Sequence, residues 1–318
     1  MLNNGYIYTD RILRHHAGMT VLEYYSIRYP HFTREEWRGR IESGLVTRAG
    51  IPLAPKDTLR ERDVLHSFRA PWSEPDVPTD IPVLKSDAHV MVFDKPDEMP
   101  VLPGGLYLEN SMVMIVRRTH DASLSPLHRL GRGTTGAILF TRSHTAAAAF
   151  SRMMRMREIG KIYLALVHNA DMPDEFTIRT PIGRVPDARL GDIHDVSPNG
   201  KEAVSMCSVL ARNAGDDTAL IRVSILTGRT HQIRIHLASE GHPLVGDRFY
   251  RGRAIGSETS DAHANTVLPS DPGYILHSWR LRYRDPFTAS DVDVVAPVRS
   301  EIVEWCTRVG YAIETVDT

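Results

Sequence analysis

Apolar residues in the first 70 positions lie at helical spacing and then give way to a short alternating stretch. Thr33 precedes the second apolar set and has Glu36 three residues after it, the sequence pattern of a capped helix start. Gly44 ends that helix, and the stretch LVTRAGIPL predicts a strand, a turn at Gly50 and a second strand. This region is therefore predicted to be a small α+β unit. Its helical sets are Val21, Leu22, Tyr25 and Ile27, then Trp37, Ile41 and Leu45.

From about residue 85 the pattern changes to apolar, β-branched runs that are typical of strands. Two helix-forming stretches interrupt them, one from His144 to Arg157 that ends at Gly160 and one from Thr230 to Gly241. Many strands without strict alternation with helices predict an α+β fold and not a doubly wound sheet. The predicted strands are 89–93, 136–140, 161–167, 219–226 and the alternating stretch 275–283.

The two patterns are separated by a proline-rich segment. Prolines stand at positions 71, 75, 78 and 82, and such a cluster is typical of a linker. We therefore predict a small domain over residues 1–72, a linker over 73–84 and a large domain over 85–318.

Composition narrows the class of protein. The chain has 318 residues, 42% hydrophobic and 24% charged, so it can bury a sizeable core and is not globally disordered. It contains no apolar run of the roughly 18 residues that a membrane span needs, and its N-terminal residues lack the apolar core of a secretory signal. Cys207 and Cys306 lie far apart and form no disulfide framework or zinc motif, which favours a reducing compartment. We expect a cytoplasmic protein, or an organellar one if the source is eukaryotic, with no membrane partner and no metal.

The share of arginine among the basic residues is more informative than the net charge of the chain. The formal net charge is −1, so no global basic field indicates a nucleic-acid partner. However, 33 of the 38 basic residues are arginine. Arginine binds phosphate in a bidentate manner and stacks on bases, so the bias fits RNA contact, although genome composition produces the same bias.

Residues 131–136 read GRGTTG and satisfy the GxGxxG pattern of dinucleotide-binding proteins. That pattern binds pyrophosphate only between a strand and the start of a helix. Here PLHRL precedes it and the strand-like AILF follows it, so we reject a nucleotide cofactor.

With its flanks, the same segment reads PLHRLGRGTTG and resembles the signature loop of RluA-type pseudouridine synthases, HRLD followed by TSG and an apolar strand. Three further segments match that family in order: KIYLALV, TGRTHQIRIHLASEGHPLVGDRFY and LHSWRLRYRDP with VDVVAPV. Together they cover about residues 85–298. The resemblance implies a pseudouridine synthase fold, with a mixed, mostly antiparallel sheet and flanking helices. It also implies an RNA substrate, rRNA or tRNA, no cofactor and a monomer.

The N-terminal unit resembles the small RNA-binding module of ribosomal-protein-S-four type that precedes the catalytic domain in many family members. The resemblance rests on the helix with Trp37 and Ile41 and on the strand pair that ends in LRERDVL. Any other small α+β unit is the alternative.

The resemblance also implies roles for particular residues. Tyr163 would stack on the uracil that has left its place in the RNA, and Arg229 would pair with the catalytic carboxylate. Arg129 would fill the gap that the flipped base leaves. Taken alone, each of these residues would more often be structural; the motif context reverses that preference. The positions expected to contact RNA are His128, Arg129, Arg132, Thr134, His231, Gln232 and Arg234.

Two other kinds of site, a metal site and a hydrolase triad, are not supported by the sequence. His231 and His236 are five residues apart and do not share a helix face, so a metal site with His128 or His242 is not expected; we predict structural hydrogen bonds instead. A hydrolase triad would have to use His120, Asp121 and Ser123 or Ser125, but no GxSxG elbow is present.

Gly131 stands where the family has its catalytic aspartate, and Gly133 replaces a second acidic residue of that loop. Glycine cannot act as a nucleophile or a base. Two hypotheses follow: an RNA pseudouridine synthase that uses another carboxylate, or a catalytically silent RNA-binding or ribosome-assembly factor. Asp121 and Asp247 are candidates for the replacement carboxylate, and Asp247 also fits a loop-organising role. In either case we expect Arg229 to be paired with an acid or open to solvent, since a buried unpaired guanidinium is costly.

Overall fold

The computed structural model describes residues 2–30, 32–251 and 267–313. The chain divides into two compact units, Met1–Pro75 and Asp76–Thr318. The division falls inside the segment 73–84 that the sequence identifies as a linker. The end of that segment belongs to the second unit, because Ile81 is part of its hydrophobic core and Val83–Ser86 form a strand.

The first unit packs two helices against a small antiparallel sheet. Thr33 accepts a hydrogen bond from the Glu36 amide, and the Glu36 carboxylate accepts one from the Thr33 amide, so the predicted capping box is present. Tyr25, Trp37 and Leu65 are among the buried residues that join helices and sheet. The elements are β1 (Tyr6–Arg11), α1 (Val21–Arg28), α2 (Arg34–Glu42), β2 (Val46–Arg48), β3 (Ile51–Pro52) and β4 (Val64–Arg69), and the strand order is β1-β4-β2-β3. The likeness to the ribosomal-protein-S-four module stays a prediction.

The second unit is built on a large mixed sheet, which confirms the predicted α+β class. Its strands are β5 (Val83–Ser86), β6 (Val90–Lys95), β7 (Ser125–Pro126), β8 (Thr134–Thr141), β9 (Gly160–His168), β10 (Glu175–Ile178), β13 (Ser205–Asn213), β14 (Thr218–Ile225), β15 (Leu276–Arg284) and β16 (Asp291–Val295). The strand order is β10-β13-β14-β9-β15-β8-β6-β5, with β16 beside β15 and β7 beside β8. Only β15 and β8 pair in parallel among the described strands. A separate hairpin is formed by β11 (Ile182–Asp187) and β12 (Gly191–Val196).

Four described helices cover the sheet: α3 (Met112–Thr119), α4 (His144–Met156), α5 (Gln232–Ser239) and α6 (Ser300–Val309). Both predicted helices are confirmed with shorter ends. The first stops at Met156 because Arg157 adopts a left-handed conformation, and the second starts at Gln232 because His231 does so at its N-cap. No helix in the described ranges is long and apolar enough to cross a membrane.

Successive side chains of β9 lie on opposite faces of the sheet and show which core lies on each face. Tyr163 and Ala165 belong to the core that includes α3 and α5, whereas Leu164 and Leu166 pack with Trp305 of α6 on the opposite face. A period of two places successive side chains on opposite faces, so Tyr163 faces the side on which the cavity described next is found.

Candidate active site

A cavity of about 1000 Å³ opens over the centre of the sheet in the second unit. Five stretches of chain supply most of its wall: residues 100–107, residues 126–134, the start of β9, residues 225–234 and residues 268–276. A smaller cleft of about 330 Å³ beside α2 in the first unit contains none of the predicted site residues. The larger cavity is therefore the candidate site, and its volume is at the upper end of ordinary ligand pockets.

The predicted catalytic residues both line this cavity. Tyr163 lies on β9 between Ser278 of β15 and Val223 of β14, and burial raises the pKa of its hydroxyl to about 12. The phenol is therefore neutral, and its ring is the part available to a base. Arg229 is half-buried, and its Nε donates to the Glu202 carbonyl oxygen at 2.8 Å. No acidic partner is found for it among the described residues, so the expectation of an arginine open to solvent is confirmed.

Two of the residues predicted to contact RNA have their polar groups occupied inside the protein. Gln232 donates to the Val204 carbonyl and accepts from the Arg229 amide and the Thr227 hydroxyl. Arg234 is 3% exposed and binds Asp247 through Nε at 2.6 Å and Nη2 at 3.0 Å. Both side chains help to organise the fold, and their contact with RNA stays a prediction.

Asp247 is the centre of this buried arrangement. Besides Arg234, it accepts hydrogen bonds from the amides of Phe249 and Tyr250. Its predicted loop-organising role is confirmed. Because its carboxylate oxygens are occupied by Arg234 and two backbone amides, Asp247 is not available to react with a substrate. Asp121 is excluded as well, because it pairs with Arg142 at 2.9 Å and does not line the cavity.

Histidines near the cavity act as neutral hydrogen-bond partners. His128 Nε2 accepts from the Leu139 amide at 3.3 Å, and desolvation lowers the pKa of this imidazole to about 3. Burial, followed by the charge of Arg234, lowers the pKa of His231 to about 3, and its Nδ1 bonds the Tyr250 hydroxyl. His236 bonds Ser205 and the Thr180 carbonyl. These contacts confirm the structural interpretation, and no metal-binding cluster exists among the described residues.

The remaining predicted RNA contacts lie on the loop before β8. Arg129 is exposed on the cavity wall, and Arg132 packs over the Tyr107 ring at 5.3 Å. Thr134 is buried and shares a hydrogen bond of 3.2 Å with the Tyr274 hydroxyl. Of the three residues, the two arginines stay available to an RNA backbone. Because residues 134–141 form a strand, the GRGTTG segment also lacks the helix that pyrophosphate binding requires.

The structure adds site residues that the sequence analysis missed. Lys161 lies two residues before Tyr163, lines the cavity and is 8% exposed; desolvation lowers its pKa. Its position in the KxY motif was a signal that could have identified it. Asp271 and Tyr274 also line the cavity, from a turn-rich stretch before β15. That stretch matches no quoted motif, and only the fold brings it to the site.

Comparison with known proteins agrees with this geometry. The family model of RNA pseudouridylate synthase matches residues 89–239. An uncharacterized RNA pseudouridine synthase of Synechocystis sp. is 38% identical over 284 residues, which cover 89% of this chain and 95% of the relative. The ribosomal large subunit pseudouridine synthase D of Xylella fastidiosa is 31% identical, over 87% of this chain and 84% of its own.

Among solved structures, the human RNA pseudouridylate synthase domain containing 1 superposes with a TM-score of 0.55. It is 22% identical and covers 77% of this chain and all of its own, so it supports the fold. Fold, site and relatives together define an RNA-modifying isomerase. The chain belongs to the family of RNA pseudouridine synthases, and this membership favours the enzyme over the silent RNA-binding factor.

Proposed function

We propose that the protein converts uridine to pseudouridine in a structured RNA, with ribosomal or transfer RNA as the substrate class. A single observation carries the proposal: Tyr163, Arg129 and Arg229, which come from three separate parts of the chain, line one cavity. The name of the Xylella relative, which refers to the large ribosomal subunit, supports ribosomal RNA as the first substrate to test.

The reaction is an isomerisation and consumes nothing. The bond between C1′ of the ribose and N1 of uracil breaks, the base turns, and C1′ joins C5. The proton lost from C5 equals the proton gained at N1. The chemistry therefore needs positioning and charge stabilisation and no cofactor.

Each named side chain has a part in this reaction. A base inside folded RNA must leave its stack before its C5 can reach the ribose. Tyr163 offers an aromatic surface to the extruded base, which is a sequence-tolerant source of binding energy. Arg129 stands at the exposed rim, where it can enter the gap in the RNA stack. Arg229 and Lys161 add positive charge deeper in the cavity, opposite the negative charge of the RNA backbone.

The test is to incubate the purified protein with total RNA and with ribosomal RNA from cells that lack it, and to follow two products. Release of tritium from uridine labelled at C5 reports the lost proton, and mass spectrometry of the digested RNA reports pseudouridine. We expect both signals in equal amount. Stable RNA binding without either signal would contradict the proposal and would return the silent-factor hypothesis.

We also propose that the protein acts as a monomer in a reducing compartment such as the cytoplasm. Cys207 and Cys306 are buried free thiols, and desolvation raises the pKa of Cys207 to about 12, so neither is suited to disulfide chemistry. Light scattering after size-exclusion chromatography should give a mass near 35.7 kDa.

A further inference from the structure

The resemblance to the family implies a carboxylate in the cavity, and Gly131 does not supply it. Among the described residues that line the cavity, Asp271 is the only acidic one. Asp121 and Asp247, the two acids considered from the sequence, are bound to Arg142 and Arg234. Asp271 thus has no acidic competitor in the part of the cavity wall that the structure describes.

Packing explains why the loop before β8 carries glycines. A Cβ atom on Gly131 would overlap the hydroxyl oxygen of Tyr274. A Cβ atom on Gly133 would lie 2.9 Å from the Cα of Pro272 and 3.1 Å from the Tyr274 ring, closer than atoms comfortably pack. The stretch 271–274 therefore occupies the space into which side chains at positions 131 and 133 would extend. The residues that displace them bring their own carboxylate, that of Asp271, to the same wall.

The turn that carries Asp271 is held firmly. The Asp271 Oδ2 accepts from the Leu268 amide at 2.8 Å, and the Asp271 amide donates to the Leu268 carbonyl at 3.0 Å. Arg234 Nη1 donates to the Pro269 carbonyl at 2.5 Å. Since Arg234 is itself fixed by Asp247, the turn is anchored to the buried centre of the unit. A catalytic group needs such support from its surroundings.

The carboxylate also has one oxygen to spare. Within the described ranges, no hydrogen bond or ion pair reaches Asp271 Oδ1, and the side chain is half-exposed in the cavity. Arg129, Lys161 and Arg229 line the same cavity and have no acidic partner among the described residues. A single anion among several cations is an arrangement that favours an anionic reactive group.

We infer that Asp271 supplies the carboxylate of the uridine-isomerisation site, from the turn before β15 and not from the loop before β8. This inference rests on the proposed function. Oδ1 adds to C1′ while the C1′–N1 bond breaks and its electron pair moves to uracil N1. After the base has turned, C5 displaces the carboxylate from C1′ and loses its proton, and N1 gains one. The carboxylate is regenerated and the RNA composition is unchanged.

The experiment compares Asp271→Asn with the wild type and with Asp121→Asn, a carboxylate variant outside the cavity. Single-turnover pseudouridine formation, RNA affinity and the midpoint of thermal unfolding are measured for each protein. For Asp271→Asn we expect a rate loss of at least about 1000-fold with unchanged affinity and midpoint, because removing a nucleophile removes most of the catalysis. Asp121→Asn should keep the wild-type rate.

A second arm separates chemistry from structure. Asp271→Ala is assayed with added formate and, as a control, with chloride at the same ionic strength. A small free carboxylate can enter the space left by the side chain, so formate and not chloride should restore part of the rate. A purely structural role for Asp271 would give no such difference.

The outcomes separate the two claims. An active wild type with an Asp271→Asn variant of similar rate overturns the inference and leaves the proposed function standing. An inactive wild type overturns the proposed function, and the inference with it. If Asp271→Asn unfolds at a lower temperature, the formate arm decides: absence of rescue contradicts the role of Asp271, and rescue supports it.

Discussion

The stretches 127–136 and 226–239 form two walls of one cavity and are held in place in opposite ways. The second is fixed by its own side chains, since Gln232, Arg234 and His236 all bond to groups inside the unit. The first has hydrogen bonds of its own at His128 and Thr134, but its glycine-containing centre is held by groups from elsewhere. Lys95 donates to the Arg132 carbonyl at 2.9 Å, and the Tyr274 hydroxyl takes the space beside Gly131.

This difference shows that a match to a family motif and a departure from it can have different structural causes. The stretch that matches the family almost residue for residue uses several of its polar residues to support the fold. The stretch that departs from the family does so at glycines, and there the environment is supplied by residues far along the chain. A match can therefore mark a scaffold, and a mismatch can mark the point where the site has been rebuilt.

The largest effect is expected from disrupting the stretch 226–239, which is held by its own side chains. Asp247→Asn leaves the guanidinium of Arg234 buried without an anion, and removal of one partner of a buried pair costs about 3–5 kcal/mol. Urea unfolding should show this loss in the transition of the second unit. The double variant Arg234→Met, Asp247→Leu should lose less, because no charge is then left buried. Equal stability of Asp247→Asn and the wild type would show that the pair does not hold this wall.

Arg229 lies on the same wall as Arg234, but its side chain has one hydrogen bond, to the Glu202 carbonyl, and no ion pair among the described residues. Arg229→Gln should lower the rate of pseudouridine formation by about 100-fold, the usual effect of removing one electrostatic contact to the reacting groups. Its unfolding free energy should change by no more than about 0.5 kcal/mol, as for a surface substitution. Arg222→Gln, an exposed arginine outside the cavity, is the matched control. If Arg229→Gln lost stability and kept its activity, Arg229 would be a structural residue like Arg234.

The packing of the stretch 127–136 against Tyr274 can be tested by substituting Gly131. Gly131→Asp introduces atoms where the Tyr274 hydroxyl lies, and overpacking of a tight site costs about 1–3 kcal/mol. The variant should also lose activity, although it restores the acid of the family pattern. Adding Tyr274→Ala should recover part of the stability by removing the overlap, which a double-mutant cycle would measure. Gly39→Ala, which lies on α2 outside the cavity and has open space around its Cβ, is the control.

The last prediction concerns the lysine behind that wall. Burial lowers the pKa of Lys95 to about 7, so between pH 7 and about 10 the unfolded chain binds a proton that the folded chain does not. Stability must then rise with pH in this window, by up to about 1.4 kcal/mol per pH unit. Lys95→Met should flatten the slope of unfolding free energy from pH 7 to 9.5, whereas the exposed Lys201→Met should not. An unchanged slope in Lys95→Met would show that Lys95 stays charged when folded.

Much of the second unit could be predicted because its signals are local. The strand at 161–167 and the helix after Ser143 are apparent in their own residues, and four ordered motifs fix the fold. The strand Ser205–Asn213 was missed, since its exposed and buried residues do not alternate along its second half. The hairpin before it was missed as well, because Gly183 and Pro186 interrupt the apolar residues of its first strand.

The site was predictable only in part, because some of its contacts join segments that are far apart in the sequence. Tyr163, Arg129 and Arg229 were found through motifs, and the glycine at position 131 was recognised as a departure. Its cause lies at Tyr274, more than 140 residues away, and becomes visible only when β15 pairs in parallel with β8. A pairing of Leu276 with Thr134 leaves no periodic trace in either segment.

The contact between Gly131 and Tyr274 also restricts how such a chain can evolve. An aspartate at position 131 requires a smaller residue at position 274, and the smaller residue alone leaves a cavity where a buried ring had packed. We therefore expect each single change to be harmful and the pair to be better tolerated. Lineages with glycine and lineages with aspartate should form two separate groups whose residues at the two positions change together, with few intermediates between them.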